Sequence, residues 1–322
     1  MVNDYRFQAY ESGMAGEIVA LWQRAIGDAY PLSERLFRQV IEGNPGGRPS
    51  DATTVWDGSE LIGFGSLHRY REDHPWADAF RDLAWLTLVL VDPERQRRGI
   101  GTRICHHLRE GVADLPDDRL RAGSGLHHFF PGPPADLPAV RPFLESLGFS
   151  FDGEVVDVRV DVTDFQLPTS AEAALAKHDL TVIPCPPEEW DRLLAFLLAE
   201  FGAGWRYRAG WFRERGGDPA DLLLLRRADE IVGFAQTHYP DSAVIGPASY
   251  WNALRGPSPG GFGPIGVAGS LRGHGLGLAL LQVTLDHLRA RGVADVSADW
   301  TNLIDFYAKV GMRPWKRYAV GG

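Results

Sequence analysis

Gly263-Pro264-Ile265-Gly266-Val267 runs into Ala268-Gly269-Ser270-Leu271-Arg272-Gly273-His274-Gly275-Leu276-Gly277, and the reading of this stretch decides the fold. An apolar strand enters a glycine-rich turn. Leu278, Leu281, Leu285 and Leu288 then recur at helical spacing up to Gly292, which suits a left-handed helix end. A strand, a glycine turn and a helix start make an anion site by geometry. The first-turn amides have no helical partner, the helix dipole places roughly +0.5 charge there, and glycine admits oxygens close to the backbone.

The same arrangement occurs earlier in the chain. Leu86-Thr87-Leu88-Val89-Leu90-Val91 leads into Asp92-Pro93-Glu94-Arg95-Gln96-Arg97-Arg98-Gly99-Ile100-Gly101, followed by the stripe Ile104, Leu108, Val112. Two further pairs keep the order. Glu60-Leu61-Ile62-Gly63-Phe64 returns as Glu230-Ile231-Val232-Gly233-Phe234, and Phe143-Leu144-Glu145-Ser146-Leu147-Gly148 as Phe306-Tyr307-Ala308-Lys309-Val310-Gly311. Three matches in one order point to a duplication. A length of 322 residues suits two domains, expected at 1–165 and 166–322, each of α/β class with a mixed sheet. The seam is expected near Val162 to His178, where alternating Val155 to Val162 gives way to Leu167-Pro168-Thr169-Ser170 and an alanine-rich stretch.

Apolar residues make up 44% and charged residues 23%, a globular balance. The net charge of −9 argues against a nucleic-acid partner and leaves room for an amine substrate. No apolar run reaches membrane-spanning length, and Met1 to Arg6 lacks a signal-peptide core, so a cytoplasmic monomer or homodimer without membrane contact is expected. Cys105 and Cys185 stand far apart without metal-ligand spacing, and no metal is expected.

Neither turn has the lysine of a P-loop, and neither meets the Rossmann pattern cleanly. Both fit Gln/Arg-x-x-Gly-x-Gly, at Gln96 to Gly101 and Arg272 to Gly277. That pattern resembles the acetyl-CoA-binding motif of the GCN5-related N-acetyltransferases, and the resemblance covers both halves. It implies two tandem domains of that fold. It places the pantetheine arm on Ile265 and Val267, and the diphosphate on Arg272, Gly273, His274, Gly275, Leu276, Gly277 and Leu278, with Asn302 adding a contact. It also implies a second coenzyme site at Val91, Gln96, Arg97, Arg98, Gly99, Ile100, Gly101 and Thr102. Ala268-Gly269-Ser270 departs from the Asp-Pro-Glu of many relatives, which matters little if backbone groups do the binding.

Acyl transfer to an amine needs a neutral nucleophile and a proton for the departing thiolate. Deprotonating a lysine-like amine at pH 7 costs about 4.6 kcal/mol, but an amine of pKa near 7.7 costs only about 1 kcal/mol. Val293 to Ala298 reads as a strand, with a short helix starting at Asp299-Trp300-Thr301-Asn302, capped by Thr301 or Asn302 and ended by Gly311. Its face of Leu303, Phe306, Tyr307 and Val310 turns Tyr307 inward, where the resemblance puts the general acid. Asp299, at the strand's end, can deprotonate or orient the amine. In the first half Leu144 replaces Tyr307 and cannot donate a proton, so that half reads as degenerate; His127 and His128 in its proline-rich loop are the alternative base.

Asp299-Trp300-Thr301, Phe306-Tyr307 and Pro314-Trp315-Lys316-Arg317-Tyr318 resemble two-domain bacterial members of the family, some of which act on glucosamine and glucosaminides. Among ten tryptophans, Trp205 and Trp251, with Tyr207, can line a sugar site or simply fill a core. Two other readings compete: acetylation of a cysteinyl-sugar of the mycothiol-synthase type, and a non-catalytic acyl-CoA sensor.

Overall fold

A computed structural model describes residues 5–43, 51–70 and 78–321; residues 1–4, which carry most of the leader reading, lie outside the described residues. The chain divides into two units, Met1–Val155 with Arg317–Gly322, and Val156–Lys316.

The first unit holds β1 (Arg6–Ala9), α1 (Ala15–Ile26), α2 (Glu34–Ile41), β2 (Ala52–Asp57), β3 (Glu60–Arg69), β4 (Ala84–Val91), α3 (Ile100–Glu110), β5 (Leu120–Ala122) and α4 (Val140–Glu145). Its sheet runs β1-β2-β3-β4-β5. Neighbours are antiparallel except β4 and β5, which are parallel. The apolar stripe foreseen after the first glycine turn, Ile104, Leu108 and Val112, is buried against Val55, Ile62 and Leu86. Trp22 stacks on Phe130, whose edge Tyr30 meets at 4.8 Å. The last residues of the chain belong here: Ala319 N–H donates to the Pro133 carbonyl at 3.0 Å and Arg317 pairs with Glu154 at 2.6 Å.

The second sheet carries β6 (Gly153–Asp161), β7 (Leu180–Pro184), β8 (Leu222–Arg227), β9 (Glu230–His238), β10 (Pro259–Val267), β11 (Asp295–Thr301) and β12 (Arg313–Val320). Its order is β12-β6-β11-β10-β9-β8-β7. With it go α5 (Thr169–Lys177), α6 (Trp190–Phe201), α7 (Ala203–Glu214), α8 (Leu276–Ala290) and α9 (Ile304–Ala308). β7 to β11 repeat the order and sense of β1 to β5, so the duplication seen in sequence is also one of topology. Leu281, Leu285 and Leu288 of α8 are fully buried against Val296 and Ala298, each burial being worth about 2 kcal/mol.

The boundary falls at Val155/Val156 rather than 165/166. Val156 to Asp161, foreseen as the close of the first half, pairs instead with β11, from Val156 opposite Thr301 to Asp161 opposite Asp295. The alternating pattern called a strand correctly but could not name its neighbour. The alanine-rich linker stretch is helix α5.

His68 in β3 and His238 in β9, related by the repeat, are 2% and 1% exposed. Burial pushes each imidazole down to about 4, against a weaker upward pull from its carbonyl partner. An unfolded histidine takes up a proton below about 6.5, so acid favours the unfolded chain and stability falls as pH drops from 6.5 toward 4. Each histidine should account for about 2 kcal/mol of the stability lost between pH 7 and pH 5. Guanidinium unfolding of His68→Gln and His238→Gln at both pH values should show that loss shrinking in each variant.

Candidate active site

The feature that builds the site is a parting of strands. β10 pairs with its parallel neighbour β11 only from Pro259 to Phe262, opposite Asp295 to Ala298. From Ile265 to Val267 it pairs with β9 alone. Both parting strands bulge at the same level. Gly263 and Pro264 stand opposite the single residue Gln236, so β10 gains one residue between Phe262 and Ile265, and β11 gains one between Ala298 and Thr301. Bulges of this kind re-aim side chains and end pairing. β4 and β5 part in the same way after Leu86 and Ala122, with a bulge at Thr87, the repeat mate of Gly263. Each unit therefore has a wedge with an unpaired strand flank, able to take an extended ligand by strand addition.

Each wedge leads to a helix start. α8 begins after Gly275 at φ 78°, and α3 after Gly99 at φ 78°, with no side-chain cap on either. Nothing within 4 Å would meet a β-carbon at Gly273, Gly275 or Gly99, so the turns have open space beside these glycines. Gly273 has φ 82°; its mate Arg97 holds φ 63°, a left-handed conformation that costs a non-glycine residue about 1–2 kcal/mol. The Gln/Arg of the motif ties the turn to the strand: Gln96 donates to the Val91 carbonyl at 3.2 Å, and Arg272 to the Val267 carbonyl at 3.5 Å. The Ala268 departure leaves the backbone unchanged, since Ala268 N–H bonds the Val232 carbonyl as Asp92 N–H bonds that of Ile62. The uncapped helix starts at residues 276–278 and 100–102 are the places that could hold a diphosphate. In the first unit a cavity of about 340 Å³ adjoins the turn, lined by Val89, Val91, Gln96, Arg97, Thr102 and Phe143. A second, of about 130 Å³ and largely apolar, fills its wedge beside Leu88, Phe130 and Leu144.

At the point where β10 and β11 part, the second unit gathers its titratable groups. A β-carbon on Gly263 would lie 2.6 Å from Asp299 Oδ1, so only glycine fits there. That oxygen is buried and has no hydrogen-bond partner among the described residues. Burial raises the Asp299 carboxyl above the ordinary range, and the Arg208 charge pulls it back. Tyr307, 7% exposed, packs against Phe262 at 6.1 Å and Phe306 at 5.2 Å. Its hydroxyl makes no hydrogen bond among the described residues. Burial first, and the Asp299 charge second, hold it protonated across the neutral range. A phenol that keeps its proton and a carboxylate with a spare lone pair are groups able to give and to take a proton. The corresponding place in the first unit is filled by Leu144, although Phe143 lies against Gly101 as Phe306 does against Gly277.

Some expectations shift. Asp299 to Thr301 stay in β11 and the helix starts only at Ile304, because the bulge lets β11 keep its pairing with β6. Thr301 Oγ1 accepts the Leu303 N–H at 2.9 Å, while Asn302 is exposed and caps nothing among the described residues. Leu303 is 59% exposed and leaves the apolar face. Trp205 stacks on Phe201 at 4.3 Å, and both press on β10 where Gly266 has no side chain. Tyr207 and Trp251 are buried. His127 and His128 are buried too, His128 Nδ1 being bonded to the Gly125 carbonyl at 2.6 Å. The cluster also includes Arg208 in α7, which periodicity could not single out and whose charge acts on Tyr250 and on His238. Among the described residues no group of three or more His, Cys, Asp or Glu is placed to hold a metal ion, and no helix is long and apolar enough to cross a membrane.

The profile of the acetyltransferase (GNAT) family matches residues 19–130 and 184–312, one stretch in each half. The chain belongs to this family. It is a tandem GNAT N-acetyltransferase, from a family whose acyl donor is acetyl-CoA. Mycothiol acetyltransferases of Parafrankia sp. and Rhodococcus erythropolis are each 26% identical to it, over 92% and 93% of this chain and 90% and 93% of theirs. A glucosamine N-acetyltransferase region of a fungal multi-domain GH3 β-N-acetylglucosaminidase superposes with a TM-score of 0.86 at 25% identity, over 98% of this GNAT chain and 38% of that longer one. A tandem GNAT protein of the clavulanic acid pathway shares the fold, with a TM-score of 0.63 at 19% identity over 98% and 97% of the two chains.

The open space at Gly275 and Gly99 makes the two turns separately testable. An aspartate tolerates the left-handed conformation and would put a carboxylate where a diphosphate is to sit. Gly275→Asp and Gly99→Asp should each fold normally, and calorimetry with CoA should show each removing one class of site, with affinity there down at least 10-fold.

Proposed function

We propose that the second unit transfers an acetyl group from acetyl-CoA to the primary amine of an amino sugar, glucosamine or a glucosaminide, and that the first unit is a second coenzyme site without chemistry. The observation that carries this reading is the paired state of Tyr307 and Asp299 where β10 and β11 separate, against Leu144 in the repeat. Acetyl-CoA supplies an activated thioester. Asp299 orients the incoming amine and takes its surplus proton as nitrogen bonds to the acetyl carbon. Tyr307 gives its proton to the sulfur as the carbon–sulfur bond breaks, which leaves a phenolate for solvent to reprotonate. A sugar amine is a weak base and costs little to deprotonate near neutral pH, so a single carboxylate suffices as its proton acceptor.

A second reading has its own support. The relatives named mycothiol acetyltransferase align along nearly the whole chain, which favours a cysteinyl glucosaminide as acceptor. Both acceptors present an amine on or next to a glucosamine ring, and the same pair of residues serves either.

Thiol release from acetyl-CoA decides the matter. Glucosamine and a cysteinyl glucosaminide should be compared at equal concentration, and activity on neither would sink both readings in favour of an acyl-CoA sensor. With the active acceptor, Tyr307→Phe and Asp299→Asn should each lower kcat about 10²-fold or more while CoA affinity stays within twofold. An unchanged kcat in Tyr307→Phe would remove the phenol from the chemistry.

A further inference from the structure

Arg208 is a half-buried guanidinium that makes no hydrogen bond or ion pair among the described residues. Its carbon stands 5.2 Å from the centre of the Trp300 ring, and its charge acts on Asp299, Tyr250 and His238. Arg255, in the same unit, shows what a structural arginine looks like. Its side chain has no exposed surface, and it is bonded to Asp295, Asn252, Ser297 and the Gly260 carbonyl. Arg208 has only the ring. Stacking fixes the plane of a guanidinium and leaves its edge, with up to five N–H donors, unspent.

The chemistry of the neighbours says what that edge is for. Trp300 is held at φ 49° in the β11 bulge, with its N–H bonded to Asp157 Oδ1 at 3.3 Å. The ring that carries Arg208 is therefore set by the same distortion that aims Asp299. Strain kept at such a place usually belongs to a site. A cation beside Asp299 would repel a bare ammonium, so the pair suits an acceptor that brings an oxygen to Arg208 and a nitrogen to Asp299. We propose that Arg208 is a specificity-determining residue that binds a hydroxyl or carbonyl oxygen on the carbon adjacent to the aminated one, and so selects vicinal amino alcohols and α-amino amides over plain alkylamines. The inference rests on the reading of the second unit as the acetylating one. It adds the feature that the acceptor must carry.

The test uses the full chain and whichever acceptor it acetylates, against the analogue lacking that oxygen: glucosamine against its 1-deoxy and 3-deoxy forms, or the cysteinyl glucosaminide against the compound with the amide carbonyl reduced to methylene. Thiol release should show at least one analogue poorer by 30-fold or more in kcat/KM. In Arg208→Met that gap should close to within 3-fold, through a raised KM for the complete acceptor with kcat and CoA affinity little changed. Arg208→Lys should fall between, and it decides the matter if the methionine variant does not fold. A wild type indifferent to the oxygen would overturn the proposal. So would a variant that slows acceptor and analogue equally, or one that only moves the acidic limb of the pH profile for both, since Arg208 would then act through Asp299. Release of thiol with no acceptor at all would remove the acetylating reading itself, and this inference with it.

Discussion

Two parallel strands that stop pairing halfway along their length are the constraint on which this molecule depends. Up to Phe262 and Ala298 the two strands pair; beyond them β10 keeps one neighbour and offers its other flank. An unpaired backbone flank is costly to bury unless something extended fills it. The glycine turn, the uncapped start of α8 and the groups at Asp299 and Tyr307 are arranged around that one gap. Because the bulges in β10 and β11 sit at the same level, the parting is built into both strands.

The repeat sharpens the point. The first unit reproduces the wedge, the turn and even the tie from Gln96 to the strand end, yet carries Leu144 where Tyr307 stands. Geometry that binds and residues that react are therefore separable here. The backbone conformation of the turn tolerates changes such as Ala268 for Asp92 or Arg97 for Gly273. In the proposed mechanism the chemistry needs the Tyr307 hydroxyl, which the first unit lacks because Leu144 stands in its place.

Much of this was legible in the residues. Glycine spacing, the leucine stripe of α8 and the three ordered repeats announced strand, turn, helix and duplication, because those features are local and periodic. Tyr307 and Asp299 could be named because they hang on the same elements. What could not be read were partners distant in sequence. β6 carried a strand pattern but no sign that it would lie beside β11, and α9 began late because a bulge, invisible in composition, prolonged β11. Arg208 carried no motif to set it apart until Trp300 and Asp299 were placed beside it. Tyr207 and Trp251 are buried, which composition could not tell.

The closing residues of the chain, Arg317 to Gly322, belong with the unit that begins it. No single cut can therefore release the first unit whole: a scission near Val155 strands its last segment on the other fragment, and a C-terminal trim injures a domain some 160 positions away in sequence. The two halves are thus interlaced along the chain.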